Sequence, residues 1–300
     1  MIRTFSELAA AAEARQGITI GVPAPTDDSS VLTVLEAAGR GLARFILCGD
    51  PVAIEAKLLE HGGDPGRFEI IPTTSEEAAA QRIVALAREN RVNVILKGFL
   101  PTAKLMKPVL DKETGLRTGS LLSDILLLEN PRSEEPELLG LTDGGLNILP
   151  DLAQKRQIVD NSVRVFHKLG YESPRVGIMA AVEAVKESMP ATLDAAALTE
   201  MNRKGEISGC RVYGPLALDI AVSPEAARHK GIESEVAGRV QIMVTPSIEA
   251  GNLLGKAFTY YLKLPVAHVV MGATHPILIP SRNESEHDKF YSVALGVMIA

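Results

Sequence analysis

Residues 18–48 read ITIGVPAPTDDSSVLTVLEAAGRGLARFILC, and two changes of pattern inside that stretch decide the fold class. Residues 18–22 form a short β-rich run bounded by glycine and proline, the mark of a strand. Residues 29–43 are longer and helix-like, and residues 44–48 return to a short apolar run. Strand, helix and strand in succession predict parallel strands joined by crossover helices. The alternation continues: helices are expected over 51–61 and 75–90, strands over 68–71 and 92–96. Ser75-Glu-Glu-Ala supplies an N-cap oxygen and first-turn acids for the second of these helices.

Past residue 120 the style changes. Residues 121–129 and 138–142 are apolar runs separated by Asn130-Pro-Arg-Ser-Glu-Glu-Pro, a polar, proline-bearing connection suited to a long hairpin. A domain boundary is expected near here. Asp143-Gly-Gly-Leu-Asn147 reads as a turn-rich loop. A helix over 150–169 follows, stopped by Gly170, with Leu152, Val159, Val163 and Phe166 on one face. A second α/β unit is then predicted from strands over 175–180, 209–213, 240–245 and 266–271 and helices over 191–204, 216–229 and 247–262. Residues 272–288 are expected to be a polar loop leading into an apolar helix over 289–300, and such a loop is where chemistry is sought.

The 300 residues, 46% hydrophobic and 23% charged, have the balance of a globular protein, and the length favours two domains over a single large barrel. Lys and Arg minus Asp and Glu is 31 − 37 = −6. That argues against a broad nucleic-acid surface and permits a local cationic pocket for a small anion. Cys48 and Cys210, the only cysteines, each sit in an apolar, strand-like run, which suits a reducing cytoplasm and disfavours a disulfide framework or a thiolate zinc site. Acids interrupt the apolar N-terminal run, and no segment approaches roughly 18 uninterrupted apolar residues. Neither export nor membrane spanning is expected.

Several familiar chemistries lack their motifs. Gly39-Arg-Gly-Leu-Ala-Arg44 follows a helix and lacks the third glycine of a dinucleotide fingerprint. Gly251-Asn-Leu-Leu-Gly-Lys256 has one residue too few for a phosphate loop and Ala257 where Ser or Thr should hold magnesium. The histidines show no His-x-x-x-His spacing for a helical zinc site, and no metal is expected. There is no Gly-x-Ser-x-Gly elbow, and adjacent His287 and Asp288 poorly suit the base-orienter relation of a Ser281 triad.

Four segments in one order resemble a known family: Leu141-Thr-Asp-Gly-Gly-Leu-Asn147, Tyr213-Gly-Pro-Leu-Ala-Leu-Asp219 with Ala226-Ala-Arg-His-Lys-Gly-Ile232, Pro246-Ser-Ile-Glu-Ala-Gly-Asn252, and the loop from Ser281-Arg282 to Asp288. Together they resemble the phosphate acyltransferases, phosphate acetyltransferase and, more closely, phosphate butyryltransferase. The resemblance implies an α/β, two-domain fold like that of isocitrate and isopropylmalate dehydrogenases, with the site in the interdomain cleft. It implies the reaction acyl-CoA + phosphate ⇌ acyl phosphate + CoA, with coenzyme A as substrate and no metal or redox cofactor. It also implies a homodimer or higher homo-oligomer. Domain I is then residues 1–141 plus 274–300, carrying the catalytic loop, and domain II, expected to form the dimer, is 142–273.

The resemblance also assigns roles. Asp288 matches the base that takes the proton of the CoA thiol; a thiol of pKa about 8.5 is mostly protonated at neutral pH, and its thiolate is the nucleophile. The plain structural alternative is an N-cap of the last helix. Ser281 matches the serine that donates to the carbonyl oxygen as charge develops, with a turn after Pro280 as the alternative. Arg282 matches the phosphate-gripping arginine, whose planar fork can hold two oxygens, with a solvated or salt-bridged surface arginine as the alternative. Gly251 and Asn252 match a Gly-Asn that contacts phosphate or CoA, and Thr118 and Ser120 match a hydroxyl-rich phosphate-holding segment, each with turn or cap duty as the alternative. Two positions depart from the acetyl enzymes: Lys107 stands where they carry a CoA-binding arginine, and Lys97-Gly98 replaces Ser-Gly. Phosphate acetyltransferase, a hydroxyacid dehydrogenase of the same fold and a non-catalytic two-lobed binding module are the alternative readings.

Overall fold

The computed structural model describes residues 1–281 and 284–300. The first half alternates helix and strand, with β1 to β4 and the helices between them where the patterning expects: α1 (Phe5–Ala14), β1 (Thr19–Pro23), α2 (Asp28–Gly39), β2 (Arg44–Gly49), α3 (Pro51–Glu60), β3 (Glu69–Pro72), α4 (Glu76–Arg88), β4 (Val94–Leu96) and α5 (Thr102–Val109). Ser75 caps α4, its hydroxyl accepting from the Ala78 amide, with Glu76 and Glu77 in the first turn and Arg88 in the last, which matches side-chain charge to the helix dipole. Glycine in β1 has a packing reason. A Cβ on Gly21 would come within 2.9 Å of Ile83 on α4, so its absence lets the helix lie flat on the strand.

The second half comprises β5 (Ser123–Glu129), β6 (Leu138–Thr142), α6 (Leu152–Lys168), β7 (Arg175–Met179), α7 (Pro190–Arg203), β8 (Arg211–Leu216), α8 (Leu218–Val222), α9 (Pro224–His229), β9 (Ile242–Val244) and α10 (Ile248–Lys256). It closes with β10 (Val266–Met271), β11 (Ile277–Leu278) and α11 (Glu286–Ile299). Strands β5 and β6 pair antiparallel, Leu126 opposite Leu141, as the hairpin reading expects. Helix α6 begins at a capping box in which Asp151 and Gln154 exchange bonds, and Gly170 ends it at φ +89.

Several elements differ from the patterning. The single helix expected over 216–229 is two, because Pro224 has no N–H with which to continue α8; Ser223 ends one and caps the next. The helix expected over 247–262 widens into a π-turn at Ala257–Tyr261. Helices α1 and α5 and strand β11 have no counterpart in the expectation. A two-residue strand inside a polar loop carries too little period to be read.

By its packing the chain divides into two units, Ser6–Ser120 with Ala267–Ala300, and Leu121–Val266 with Met1–Phe5. The limits expected from the sequence, 1–141 with 274–300 and 142–273, place the β5–β6 hairpin, all but Thr142, with the first domain; by packing the hairpin lies in the second unit. In the first unit the strands run β3-β2-β1-β4-β11-β10. Strands β1, β2, β3, β4 and β11 are mutually parallel, and β10 is antiparallel to β11. In the second the order is β5-β6-β9-β7-β8, parallel from β6 onward. The core of this unit includes Leu126, Leu141, Leu216, Val240 and Met243.

Candidate active site

In the first unit the chain leaves β1 toward β2 and later returns to its other side at β4, so the strand order reverses between these two neighbours. In a parallel sheet such a reversal opens a crevice beyond the carboxyl ends of the strands, because the flanking connections depart to opposite faces. A cavity of about 110 Å³ lies there. Asp27, Ser29, Ser30 and Thr33 reach it from the start of α2, Leu96 to Phe99 from the end of β4, Pro280 and Ser281 from beyond β11, and Lys289 from α11. Gly98 makes the crevice tight: a Cβ there would sit 2.1 Å from the Pro23 carbonyl oxygen. The Phe99 amide donates to the Ala24 carbonyl at 2.9 Å, locking the exits of β1 and β4 together.

Ser281 is therefore a wall residue of a cavity that carries hydroxyls and lysines among apolar groups, as well as a turn residue. Its amide donates to Glu284 Oε1 at 3.0 Å, and its carbonyl accepts from the Glu284 amide at 3.2 Å. Glu284 Oε1 is also 3.4 Å from His268 Nε2 on β10. Arg282 lies outside the described residues.

Asp288 is not the N-cap of α11. Ser285 is, its Oγ accepting from the Asp288 amide at 3.1 Å, while Asp288 Oδ2 accepts from the Ser285 hydroxyl at 2.6 Å and the Ser285 amide at 3.2 Å. This reciprocal capping box starts the helix three residues earlier than the apolar run suggests, since Glu286, His287 and Asp288 are polar but helical. Asp288 is half-buried and is not among the residues on the cavity wall; Lys289 is.

Thr118 Oγ1 donates to the Gly272 carbonyl at 2.6 Å and accepts from the Ser120 amide at 3.1 Å, so the Arg117-Thr-Gly-Ser turn is fastened beyond β10, with Gly119 at φ +87. Lys107 is exposed in the last turn of α5.

The remaining candidates fall in the second unit. Asp143 is buried, and Oδ1 accepts the amides of Gly145 and Leu146 at 2.8 and 2.9 Å while Asn147 Nδ2 donates to Oδ2 at 2.5 Å. Burial, and secondarily the charge of Asp124, hold its carboxyl above the usual carboxylate range. This loop packs on α10 at Gly251, where a Cβ would meet the Asp143 carbonyl at 2.6 Å. Asn252 Nδ2 donates to the Gly144 carbonyl at 3.1 Å. Gly251 thus permits close approach of backbone to backbone, and Asn252 braces the loop.

Cys48 and Cys210 are buried thiols. Burial pushes them up to about 12 and about 11 respectively, so both are neutral at physiological pH and neither is a poised nucleophile. The fold gathers Asp28, Glu60 and His61 in a cluster of ligand type. The Lys57 ammonium already bridges Asp28 and Glu60 at 2.7 and 2.8 Å. Among the described residues no helix is long and apolar enough to cross a membrane.

The profile of the family described as Phosphate acetyl/butaryl transferase matches residues 78–297. The phosphate butyryltransferase of Clostridium acetobutylicum is 38% identical over 300 residues, covering 100% of this chain and 99% of the relative. The chain belongs to this family. The phosphate acetyltransferase of Rhizobium meliloti is 40% identical over 296 residues, covering 99% of this chain and 93% of the relative. A branched-chain phosphotransacylase from Enterococcus faecalis superposes with a TM-score of 0.82 at 27% identity, covering 94% of this chain and 99% of its own. A 4-hydroxythreonine-4-phosphate dehydrogenase from Burkholderia phymatum shares the fold alone, with a TM-score of 0.59 at 16% identity over 95% and 99% of the two chains. The α/β fold expected from the sequence, related to that of two-domain dehydrogenases, and the membership in the phosphate acyltransferases both stand on these matches, and the chain is a transferase of that class.

Sequence reasoning marked Lys97 only as a departure from the family's Ser-Gly and passed over Lys289, Ser29 and Ser30 as contributors to the cavity. Ser29-Ser30 at a helix start directly after a strand was the available signal for two of them. Lys289, the one charge at the head of an otherwise apolar run, was the signal for another.

Proposed function

We propose that this acyltransferase exchanges a short acyl group, butyryl or one of similar length, between coenzyme A and phosphate: acyl-CoA + phosphate ⇌ acyl phosphate + CoA. Membership of the family carries the reading, and the position of Ser281 on a lysine- and hydroxyl-bearing cavity at the strand reversal supports it. In the direction of thioester formation, Asp288 takes the thiol proton and the thiolate attacks the acyl-phosphate carbonyl carbon. A C–S bond forms, the carbon–oxygen bond to phosphorus breaks, and phosphate departs with the bonding pair. The Ser281 hydroxyl donates to the carbonyl oxygen as it gains charge, and Arg282 grips the phosphate oxygens. Transfer is direct; the neutral, buried Cys48 and Cys210 leave little scope for an acyl-cysteine intermediate.

In this reading Thr118, Ser120, Lys107 and Asn252 contact phosphate or CoA, and Gly251 acts through the loop it lets approach. Coenzyme A is a substrate, no metal or redox cofactor takes part, and the enzyme works in the cytoplasm. A homodimer is part of the proposal: Leu253, Tyr260, Tyr261 and Leu262 in the second unit are 72%, 58%, 88% and 56% exposed, an apolar cluster that a second copy would cover. A thiol-release assay tests the reaction. Phosphate-dependent CoA release from butyryl-CoA is expected; a switch of preference to acetyl-CoA would select the phosphate acetyltransferase alternative, and tight binding without turnover a non-catalytic module.

A further inference from the structure

The two most deeply buried lysines of the chain are treated differently. Lys155, 4% exposed, pairs with Asp194 at 2.6 Å. Lys289, 5% exposed, donates to the Ser29 hydroxyl at 2.5 Å, and among the described residues no carboxylate pairs with it. A buried ammonium without a counter-charge is costly, and proteins ordinarily answer it with a carboxylate or a bound anion. Lys289 lines the cavity at the strand reversal, where Lys97 adds a second ammonium and Ser29, Ser30 and Ser281 add hydroxyls. Asp27 on the same wall accepts from the Ser30 hydroxyl and forms no ion pair with Lys289. The cavity has room for a group larger than a single water.

We infer that this cavity is an oxyanion site for a phosphoryl group, with Lys289 as its built-in counter-charge and Ser29 as the hydroxyl that positions the ammonium. The inference deepens the acyl-transfer reading, on which it rests only for the source of the phosphoryl group: free phosphate or the phosphates of coenzyme A. The amides opening α2 point the same way, since a helix N-terminus favours negative charge.

Binding by the full-length protein tests it without turnover. Isothermal titration of inorganic phosphate, coenzyme A and pantetheine, which has no phosphoryl group, is compared for wild type, Lys289→Met and Ser29→Asp. Lys289→Met removes the charge at similar volume; Ser29→Asp supplies an internal carboxylate that pairs Lys289 and expels an anion, so it remains informative if the first variant folds poorly. Loss of a charge-assisted contact is expected to weaken the relevant ligand by about 10- to 100-fold in both variants, with pantetheine unchanged. Weakening of phosphate identifies the free anion as the source, and weakening of coenzyme A alone identifies the nucleotide phosphates. Unchanged affinity for both in either folded variant overturns the inference, even if the wild type releases thiol. A wild type that binds phosphate through Lys289 but fails to turn over would instead sink the acyl-transfer reading and leave the site standing.

Discussion

Asp288 carries two duties that one substitution can separate. Its Oδ2 takes part in the capping box of α11, and the proposed chemistry asks the same carboxylate for a proton transfer. In Asp288→Asn the amide oxygen can still accept from Ser285, so the cap survives, and loss of the charge near the helix N-terminus costs about 0.3–1 kcal/mol. With an unfolding entropy of about 2.1 cal/mol/K per residue, that corresponds to a fall in Tm of no more than about 2 °C for a chain of this size. Loss of a general base costs about 100- to 10,000-fold in rate. Ser285→Ala is the converse: removing the N-cap side chain costs about 0.5–2 kcal/mol and leaves the carboxylate in place, so turnover should fall only a few-fold. Thiol consumption with butyryl phosphate and coenzyme A measures the rates, and calorimetry the stabilities. The Asn variant should also gain rate about tenfold per pH unit up to about 8.5, because it depends on thiol already ionised. The base assignment is refuted if Asp288→Asn stays within about fivefold of wild type, or if Ser285→Ala loses as much rate as Asp288→Asn.

Replacing both Cys48 and Cys210 by serine should leave turnover within a few-fold, read by the same assay, since two neutral buried thiols hold no acyl group; complete loss of activity in a folded double variant would reinstate a covalent route. Asp143→Ala strips the acceptor from two amides and the Asn147 side chain, and at about 1–3 kcal/mol for each buried donor left unmet it should lower stability by at least about 2 kcal/mol in denaturant titration. Because the native carboxyl of Asp143 is held above the usual value, the folded state keeps a proton that the unfolded chain has released; stability from this group is therefore present at low pH and falls as pH rises from about 3.9 to the raised native value, and Asp143→Asn should abolish that slope. If the acyl pocket buries two further methylenes at about 0.8 kcal/mol each, butyryl-CoA should exceed acetyl-CoA by about 15-fold in kcat/KM. Tyr261→Asp should shift the protein from dimer to monomer in sedimentation analysis; an unchanged mass would dismiss that face as the contact.

The fold was legible where period and punctuation agree. Strand, helix and strand over residues 18–48 emerged as β1, α2 and β2, and the proline-bearing link after residue 129 emerged as the β5–β6 hairpin. Helix α5 was hidden by Pro108 in its last turn. Strand β11 was hidden by its length, and by the fact that its place between β4 and β10 is fixed by pairing with residues remote in sequence. No local preference encodes such a pairing.

The site divides along the same line. Ser281 and Asp288 were visible because a family string surrounds them, whereas the cavity beside Ser281 is built by segments from residues 27–33, 96–99 and 280–289, which come together only once β1, β4 and β11 are aligned. The reversal of strand order is what converts Lys289 from the head of an apolar helix into a buried charge facing hydroxyls. That no carboxylate among the described residues pairs with it is then a property of the tertiary structure alone: in an extended chain the same lysine would be solvated and need no anion. A chemical role inferred from an unbalanced charge is for that reason independent of one inferred from a matched string, and agreement between the two at Ser281 would rest on separate physical grounds.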